Sequence, residues 1–258
     1  MYRNSTVELH GAGDTTGAIL TSSTHTYQGQ RINVQEELQS AAVALPTIES
    51  VTADALSDKD FLVIPALSTK ICQCPDQNCK VIHDYVQSGG VLVLTSVYGY
   101  GVDMINSLFG FSVVGSYDYT SAPPIFDSAN ATNTPFTTNA SLPINSHGGF
   151  TSLPEGAKSI YHMSTTHYIY DYTHGTYVPV TTQTAQVWTV QYGSGSVTVI
   201  AQDWSQEDTP EWDQILWQSI NSSEYSGMHW LEMPLTDVLS VCVCGSPNRH
   251  QSRRSDQL

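Results

Sequence analysis

The sequence VLVLTSVYGYG, residues 91–101, decides the fold of this protein. Its first four residues are apolar, which is typical of a short strand buried on both faces, as in a parallel sheet. Gly89-Gly90 ends the helical pattern before it, and the turn at Ser96–Gly101 leads into a second helical pattern at Val102–Phe109. A strand, a tight turn and a helix in this order place side chains at the carboxyl edge of an α/β sheet. The sequence therefore predicts that a functional site would include this turn.

The segments on either side alternate between strand and helix patterns. The predicted strands are Ala18–Ser22, Ile48–Val51, Phe61–Ile64 and Val91–Leu94, and Ala185–Tyr192 is predicted to form a hairpin with Ser196–Ala201. Helices are predicted around Val34–Leu45, from an N-cap at Asn78 to Gly89, and over Val102–Phe109. A last helix is predicted to begin at Pro210, with an apolar face of Trp212, Ile215, Leu216, Ser219 and Ile220. This alternation is typical of an α/β protein with a parallel sheet wound with helices.

Composition divides the 258-residue chain into three parts. Residues 1–17 are predicted to be an irregular lead-in, residues 18–222 a single α/β domain, and residues 223–258 an irregular or disordered tail. Within the domain, residues 112–185 are rich in Thr, Ser, Pro, Asn and Tyr, and we expect a loop-rich insert there. Short alternating pieces such as Ser159–Met163 and Tyr168–Tyr172 predict a few antiparallel strands within it.

The charge balance narrows the classes of partner. Nine Lys and Arg residues against 24 Asp and Glu residues give a formal net charge of −15, and no basic stripe is present to neutralise phosphates. Binding to nucleic acid is therefore not expected. No apolar run approaches the roughly 18–20 residues that a membrane span needs, so we expect no membrane span.

Several features favour a location outside the cell. Only 13% of the residues are charged, and the surface is expected to be rich in hydroxyl groups. Four sequons for N-linked glycosylation begin at Asn4, Asn130, Asn139 and Asn221. Since the N-terminus lacks the apolar segment of a signal peptide, a secreted protein would have to be longer than this sequence. We therefore expect an extracellular or cell-surface glycoprotein of which this sequence is a part.

Four stretches together resemble the class I glutamine amidotransferase-like domains. They are DFLVIPAL (60–67), IHDYVQSGGVLVLTS (82–96), SLFGFSV (107–113) and YGSGSVTVIAQDW (192–204). The resemblance covers residues 18–222 and implies a flavodoxin-like fold: a mostly parallel sheet with helices on both faces, plus the late antiparallel hairpin. The last two stretches are most similar to the non-catalytic branch of that superfamily, which occurs in large secreted or surface proteins.

The catalytic residues of the amidotransferases have no counterparts here. The family's nucleophilic Cys belongs in the turn after the central strand, where this chain has Ser96-Val97-Tyr98. The family's His-x-Glu motif is also missing, because none of the nine His residues is followed two places later by Glu or Asp, and the matching strand ends with Gln202-Asp203-Trp204. Amidotransferase activity, which needs this nucleophile and base, is therefore not expected. The resemblance implies a binding module without a cofactor.

The ends of the predicted parallel strands supply the candidate ligand-binding residues. Tyrosine rings over the sheet edge can stack on a sugar or a peptide, or simply cover the edge. Asp203 either faces the ligand or accepts hydrogen bonds from a neighbouring loop. The predicted ligand-binding set is Ser23, His25, Ser68, Ser96, Tyr98, Tyr100, Asp203 and Trp204. The expected ligand is a small molecule, a glycan or a neighbouring protein domain.

A hydrolase is the alternative hypothesis. It would use Ser96 as nucleophile, His25 or His147 as base and Asp203 as the acid that orients the base. However, TSVYG lacks the glycines of the G-x-S-x-G turn, so a helix-capping role for Ser96 is favoured.

No metal site is predicted. The spacing C-x-C-x4-C at Cys72, Cys74 and Cys79, with Cys242 and Cys244 far along the chain, matches no zinc motif and favours a local disulfide. An acidic cluster has no EF-hand spacing and is typical of a helix N-terminus. Its members are Asp203, Glu207, Asp208, Glu211 and Asp213.

Overall fold

A computed structural model describes residues 16–40, 45–71, 77–95, 99–116, 122–137, 139–143, 148–202, 204 and 210–221. All of them belong to one compact unit, residues 1–228, while the second unit, residues 229–258, lies outside the described residues. The predicted tail therefore stays a prediction.

Ten strands and six helices follow one another along the described chain. Their order is β1 (Gly17–Leu20), α1 (Gln28–Ser40), β2 (Thr47–Ile48), α2 (Ala53–Leu56), β3 (Phe61–Pro65), α3 (Gln77–Gln87), β4 (Val91–Thr95), α4 (Tyr100–Phe109), β5 (Val114–Ser116), β6 (Ile125–Phe126), α5 (Ser128–Ala131), β7 (Gly149–Ser152), β8 (Lys158–Asp171), β9 (Thr176–Tyr192), β10 (Gly195–Ile200) and α6 (Pro210–Ile220).

The parallel part of the sheet has the strand order β2-β1-β3-β4-β10. This is the 2-1-3-4-5 order of flavodoxin-like folds. Val91 at the start of β4 lies opposite Phe61 of β3 on one side and Ser196 of β10 on the other. Every residue of β3 and β4 is buried, as a strand covered on both faces requires. The predicted α/β fold and its central strand are confirmed.

Helices cover both faces of this sheet. On one face, Ile82 of α3 and Ile105 of α4 pack with the alternate strand residues Leu92 and Leu94. On the other, apolar residues of α1 and α6 pack with Val91 and Val93. The face predicted for α6 is confirmed, since all five residues are buried. Three predicted boundaries were wrong. The first helix begins at Gln28 rather than near Val34, and β2 is Thr47–Ile48 rather than Ile48–Val51. Asn78 lies inside α3, which already includes Gln77, so it is not the N-cap.

Beyond β10 the sheet continues with antiparallel strands. β10 pairs with β9, which also pairs with β7 and β8. The predicted β9–β10 hairpin is confirmed, and its turn uses Gly193 with a positive φ of 58°. A side chain at Gly195 would meet the backbone carbonyls of Val86 and Gly90, so only glycine fits there.

The predicted insert holds more regular structure than its composition indicates. β8 and β9 are 14 and 17 residues long and pair along nearly their whole length. The pieces Ser159–Met163 and Tyr168–Tyr172, which read as separate short strands, fall almost entirely within β8. The reason is that Thr, Tyr and Val favour strands although Thr also occurs often in loops.

No helix in the described part of the chain is long and apolar enough to cross a membrane.

Candidate binding site at the carboxyl edge of the sheet

The loops after β1 and β3 are joined to each other at the carboxyl edge of the sheet. Thr26 forms an isolated antiparallel bridge with Leu67. The Ser68 amide donates a 2.8 Å hydrogen bond to the carbonyl of His25. Within the first loop, the Thr26 hydroxyl donates to the carbonyl of Ser22 at 2.7 Å. These bonds fix the backbone on which two predicted site residues, His25 and Ser68, are carried.

The imidazole of His25 is held by a threonine. Its Nδ1 lies 2.8 Å from Oγ1 of Thr69, and that hydroxyl also lies 3.2 Å from the carbonyl of Thr24. With the ring proton on Nδ1, both contacts are hydrogen bonds; with the proton on Nε2, the single hydroxyl proton can serve only one of them. The arrangement therefore favours the Nδ1–H tautomer, which leaves Nε2 as a hydrogen-bond acceptor.

His25 borders a small cavity of ≈ 50 Å³. Its lining comes from β1, from the segments after β1, β2 and β3, and from α3. The cavity therefore lies at the carboxyl edge beside the β1/β3 pair, where the strand order reverses and where ligands bind in open α/β sheets. One water molecule occupies about 30 Å³ of liquid, so this cavity admits one small group of a ligand. Its lining residues are Leu20, His25, Glu49, Ser50, Val51, Ile71 and Ile82.

The chemistry of the lining favours a hydrogen-bond donor. The apolar side chains Leu20 and Ile82 are fully buried and belong to the core. Glu49 and Ser50 are exposed, and His25 is half-buried. The Glu49 carboxylate and Nε2 of His25 in the favoured tautomer both accept hydrogen bonds. A hydroxyl or an amino group suits these acceptors, whereas a second carboxylate or a phosphate would be repelled by Glu49.

The edge formed by β4 and β10 is only partly described. Thr95, the last residue of β4, is fully buried beside Ile200 of β10, and its hydroxyl has no hydrogen-bond partner among the described residues. Trp204 is only 5% exposed and packs into the core near α1, where its carbonyl accepts a hydrogen bond from the side chain of Asn33. Trp204 is therefore a core residue.

Apart from Trp204, the seven other residues of the predicted set fall into three groups. His25 and Ser68 are brought together, and Ser23 is exposed in the same loop as His25. Tyr100 is the first residue of α4 and is 38% exposed. Ser96, Tyr98 and Asp203 lie outside the described residues, and so does His147 of the hydrolase alternative.

Sequence reasoning missed three residues of the site: Thr69, Glu49 and Ser50. Glu49-Ser50 directly follow β2, so the rule that sites lie after parallel strands could have found them. Thr69 follows the predicted Ser68, but its contact with His25 joins positions 44 residues apart and has no local signal.

The structure describes only some of the cysteines and acidic residues on which the metal and disulfide predictions rest. Among the described residues, no group of three or more His, Cys, Asp or Glu side chains is placed to hold a metal ion. Cys79 is partly buried against the core. The other four cysteines lie outside the described ranges, and the predicted disulfide stays a prediction.

Comparison with known proteins gives similarity of fold only. No protein-family profile matches this chain. No curated protein sequence matches it either. A cytoplasmic protein from Salmonella typhimurium is similar in structure, with a TM-score of 0.52, 11% identity and coverage of 80% of this chain and 98% of that one. The likeness shows the fold.

Two further solved structures are similar over most of this chain. A β-galactosidase from Rahnella sp. R3 has a TM-score of 0.52 and 14% identity over 82% of this chain, which spans only 31% of the galactosidase. A ThuA-like protein from Parabacteroides merdae has a TM-score of 0.49 and 12% identity over 86% of this chain and 93% of that one.

Proposed function

We propose that this chain is a non-catalytic, amidotransferase-like binding module whose ligand is a small neutral molecule bearing hydroxyl groups, such as a sugar. The observation that carries the proposal is the cavity at the β1/β3 edge, with its apolar floor and its acceptors at His25 and Glu49. Its size of ≈ 50 Å³ suits one hydroxyl or hydroxymethyl group rather than a whole ligand. The rest of the ligand would lie along the exposed rim formed by Ser50 and the loop after β1.

The preorganised imidazole supports this proposal. Thr69 holds Nδ1 of His25 at 2.8 Å, so Nε2 is presented as an acceptor without the ring having to turn on binding. A ligand hydroxyl that donates to Nε2 then gains a hydrogen bond at little cost in side-chain entropy. An apolar floor with a few oriented polar groups is the usual composition of a small-molecule site.

The hydrolase alternative requires a carboxylate to hold one imidazole nitrogen while the other faces the nucleophile. In this structure a neutral hydroxyl, that of Thr69, holds Nδ1 of His25. A neutral partner stabilises a developing imidazolium less than a carboxylate does, so His25 is better suited to bind than to act as a catalytic base.

The proposal is tested by titrating the ¹⁵N-labelled chain with neutral monosaccharides and, separately, with amino sugars, while amide chemical shifts are recorded. We expect saturable shifts at Leu20, His25 and Ser50. His25→Gln should weaken binding about fivefold, the value of one net hydrogen bond of about 1 kcal/mol. The matched control is His174→Gln, because His174 is exposed at the β8–β9 turn and should leave binding unchanged.

The same protein is assayed for hydrolysis of nitrophenyl esters and glycosides. Turnover that is abolished both by His25→Gln and by Ser96→Ala would establish the hydrolase instead. An absence of shifts at millimolar sugar would contradict the binding site itself.

We also propose that the chain belongs to a secreted or surface protein carrying N-linked glycans. Asn139 and Asn221 are exposed, as glycan attachment requires. Asn130 differs, because its side-chain amide donates to Oδ2 of Asp127 at 2.9 Å and to the carbonyl of Ser159 at 3.1 Å. A glycan on this amide would break one of these two bonds, so Asn130 is the sequon expected to stay unmodified.

A further inference from the structure

The outer part of the β8–β9 hairpin, residues 164–183, exposes large apolar side chains on a two-stranded ribbon. We call this segment the arm. β6 pairs with β8 only at Tyr161 and His162, and β7 pairs with β9 only at Ala185. Beyond these positions, the arm's strands pair only with each other among the described residues. A two-stranded hairpin without further support is marginally stable in water, so the arm is expected to need a cover.

One face of the arm is lined with tyrosines. The register pairs Tyr168 with Pro179 and Tyr170 with Tyr177, and strand alternation places these four side chains on the same face. Tyr172 joins them, because its ring lies 5.1 Å from that of Tyr170. Tyr168, Tyr172 and Tyr177 are 67%, 90% and 65% exposed. These five side chains form what we call the tyrosine face.

The rings of the tyrosine face are not coplanar. Tyr170 meets Tyr172 at an interplanar angle of 84° and Tyr177 at 67°. Such edge-to-face rings make a ridged surface. A flat platform of coplanar rings would suit the faces of sugar rings, whereas ridges suit interdigitation with side chains of another protein surface.

Charge and area together identify the partner. The arm contains one carboxylate, Asp171, and neither Lys nor Arg, although the whole chain has a formal net charge of −15. Two copies of such an acidic chain meet with least repulsion through a segment of this kind. Tyr168, Tyr170, Tyr172 and Tyr177 are 67%, 39%, 90% and 65% exposed. At roughly 200 Å² for a fully exposed tyrosine, two tyrosine faces packed together would bury on the order of 1,000 Å², which is the lower bound for a specific interface.

We propose that the tyrosine face is a homodimer interface, in which the arms of two copies pack face to face about a two-fold axis. The contact is isologous, so each tyrosine meets the same patch of the partner and the assembly closes at two copies. It also covers the face that the arm leaves exposed in one copy. This interface does not involve the cavity at the carboxyl edge, and its test is independent of sugar binding.

The test is sedimentation of the full 258-residue chain over a range of micromolar concentrations. We expect a species of twice the 28.2 kDa chain mass. Tyr170→Ser should raise the dimer dissociation constant on the order of 30-fold, as loss of a central aromatic anchor does. Tyr27→Ser is the matched control. Tyr27 is also largely exposed, at 51%, but it directly precedes α1 and is not part of the arm, so this substitution should leave the dimer intact.

A second measurement uses the unaltered chain, so it does not depend on whether the variant folds. Amide hydrogen exchange in residues 164–183 of the unaltered chain should slow as its concentration rises, while exchange in α6 should not change. Two results would overturn the proposal. One is a chain that is still monomeric at roughly 100 μM, the upper end of the concentration series. The other is a dimer whose dissociation constant Tyr170→Ser does not change. A monomer whose arm amides shift with a neutral polysaccharide would also overturn it and would assign the face to glycan binding.

Discussion

Replacing Thr69 by valine should change the tautomer of a histidine 44 residues away in the sequence. Thr69 Oγ1 lies 2.8 Å from Nδ1 of His25 and 3.2 Å from the carbonyl of Thr24. In the unaltered protein, the Nδ1–H tautomer makes one more hydrogen bond than the Nε2–H tautomer, which favours it by about 1 kcal/mol, or about fivefold. Valine has nearly the same shape but offers no acceptor, so this preference should be lost.

The assay is a long-range ¹H–¹⁵N correlation spectrum of the histidine ring nitrogens, recorded where the imidazoles are neutral. The His25 signals of the unaltered protein should show a protonated Nδ1, and those of Thr69→Val should move toward the other tautomer. Thr24→Val is the matched control, since only the backbone carbonyl of Thr24 takes part. An Nε2–H tautomer in the unaltered protein, or an unchanged spectrum in Thr69→Val, would refute the reasoning about the site.

Two more predictions concern stability and modification. Burial, followed by the carboxylate of Asp60, raises the pKa of the Tyr85 phenol above its ordinary value of 10.0. The folded state therefore keeps the phenol protonated at a pH where the unfolded chain loses the proton. The free energy of unfolding is unaffected by this group below pH 10 and falls by up to about 1.4 kcal/mol per pH unit above it. In chemical denaturation above pH 10, the free energy of unfolding should fall less steeply with pH for Tyr85→Phe than for the unaltered protein. An identical fall in both proteins would contradict this account. When the chain is secreted from eukaryotic cells, mass spectrometry should find glycan on Asn139 but not on Asn130, whose amide protons are both bonded; a fully occupied Asn130 would show that those bonds do not persist.

Local patterns predicted the elements of the fold well. The apolar spacing of α6 correctly gave its buried face, for example Trp212 and Ile215, because a helix repeats every 3.6 residues whatever its surroundings. The run at Val91–Leu94 identified the central strand, because only a strand covered on both faces lacks polar alternation. The hairpin at Gly193 was found because a tight turn with positive φ demands glycine.

The long pairing of β8 with β9 was not predictable in the same way. Within the arm, the sequence predicted only the short piece Tyr168–Tyr172, because Thr occurs in loops as well as in strands and residues 176–183 gave no strand signal. The register of β8 against β9 places exposed tyrosines of both strands on one face, and the sequence alone does not determine that register. The tyrosine face therefore emerged only from the structure.

The candidate site shows the same division. The sequence by itself determined that polar residues follow the parallel strands, including His25 and Ser68, because strand ends are read from local patterns. Only the tertiary structure decided that Thr69 holds His25, that Glu49 shares its cavity and that Trp204 belongs to the core. The physical reason is that secondary structure depends on neighbours in the chain, whereas a site is made of contacts between residues that the chain separates and the packed sheet brings together.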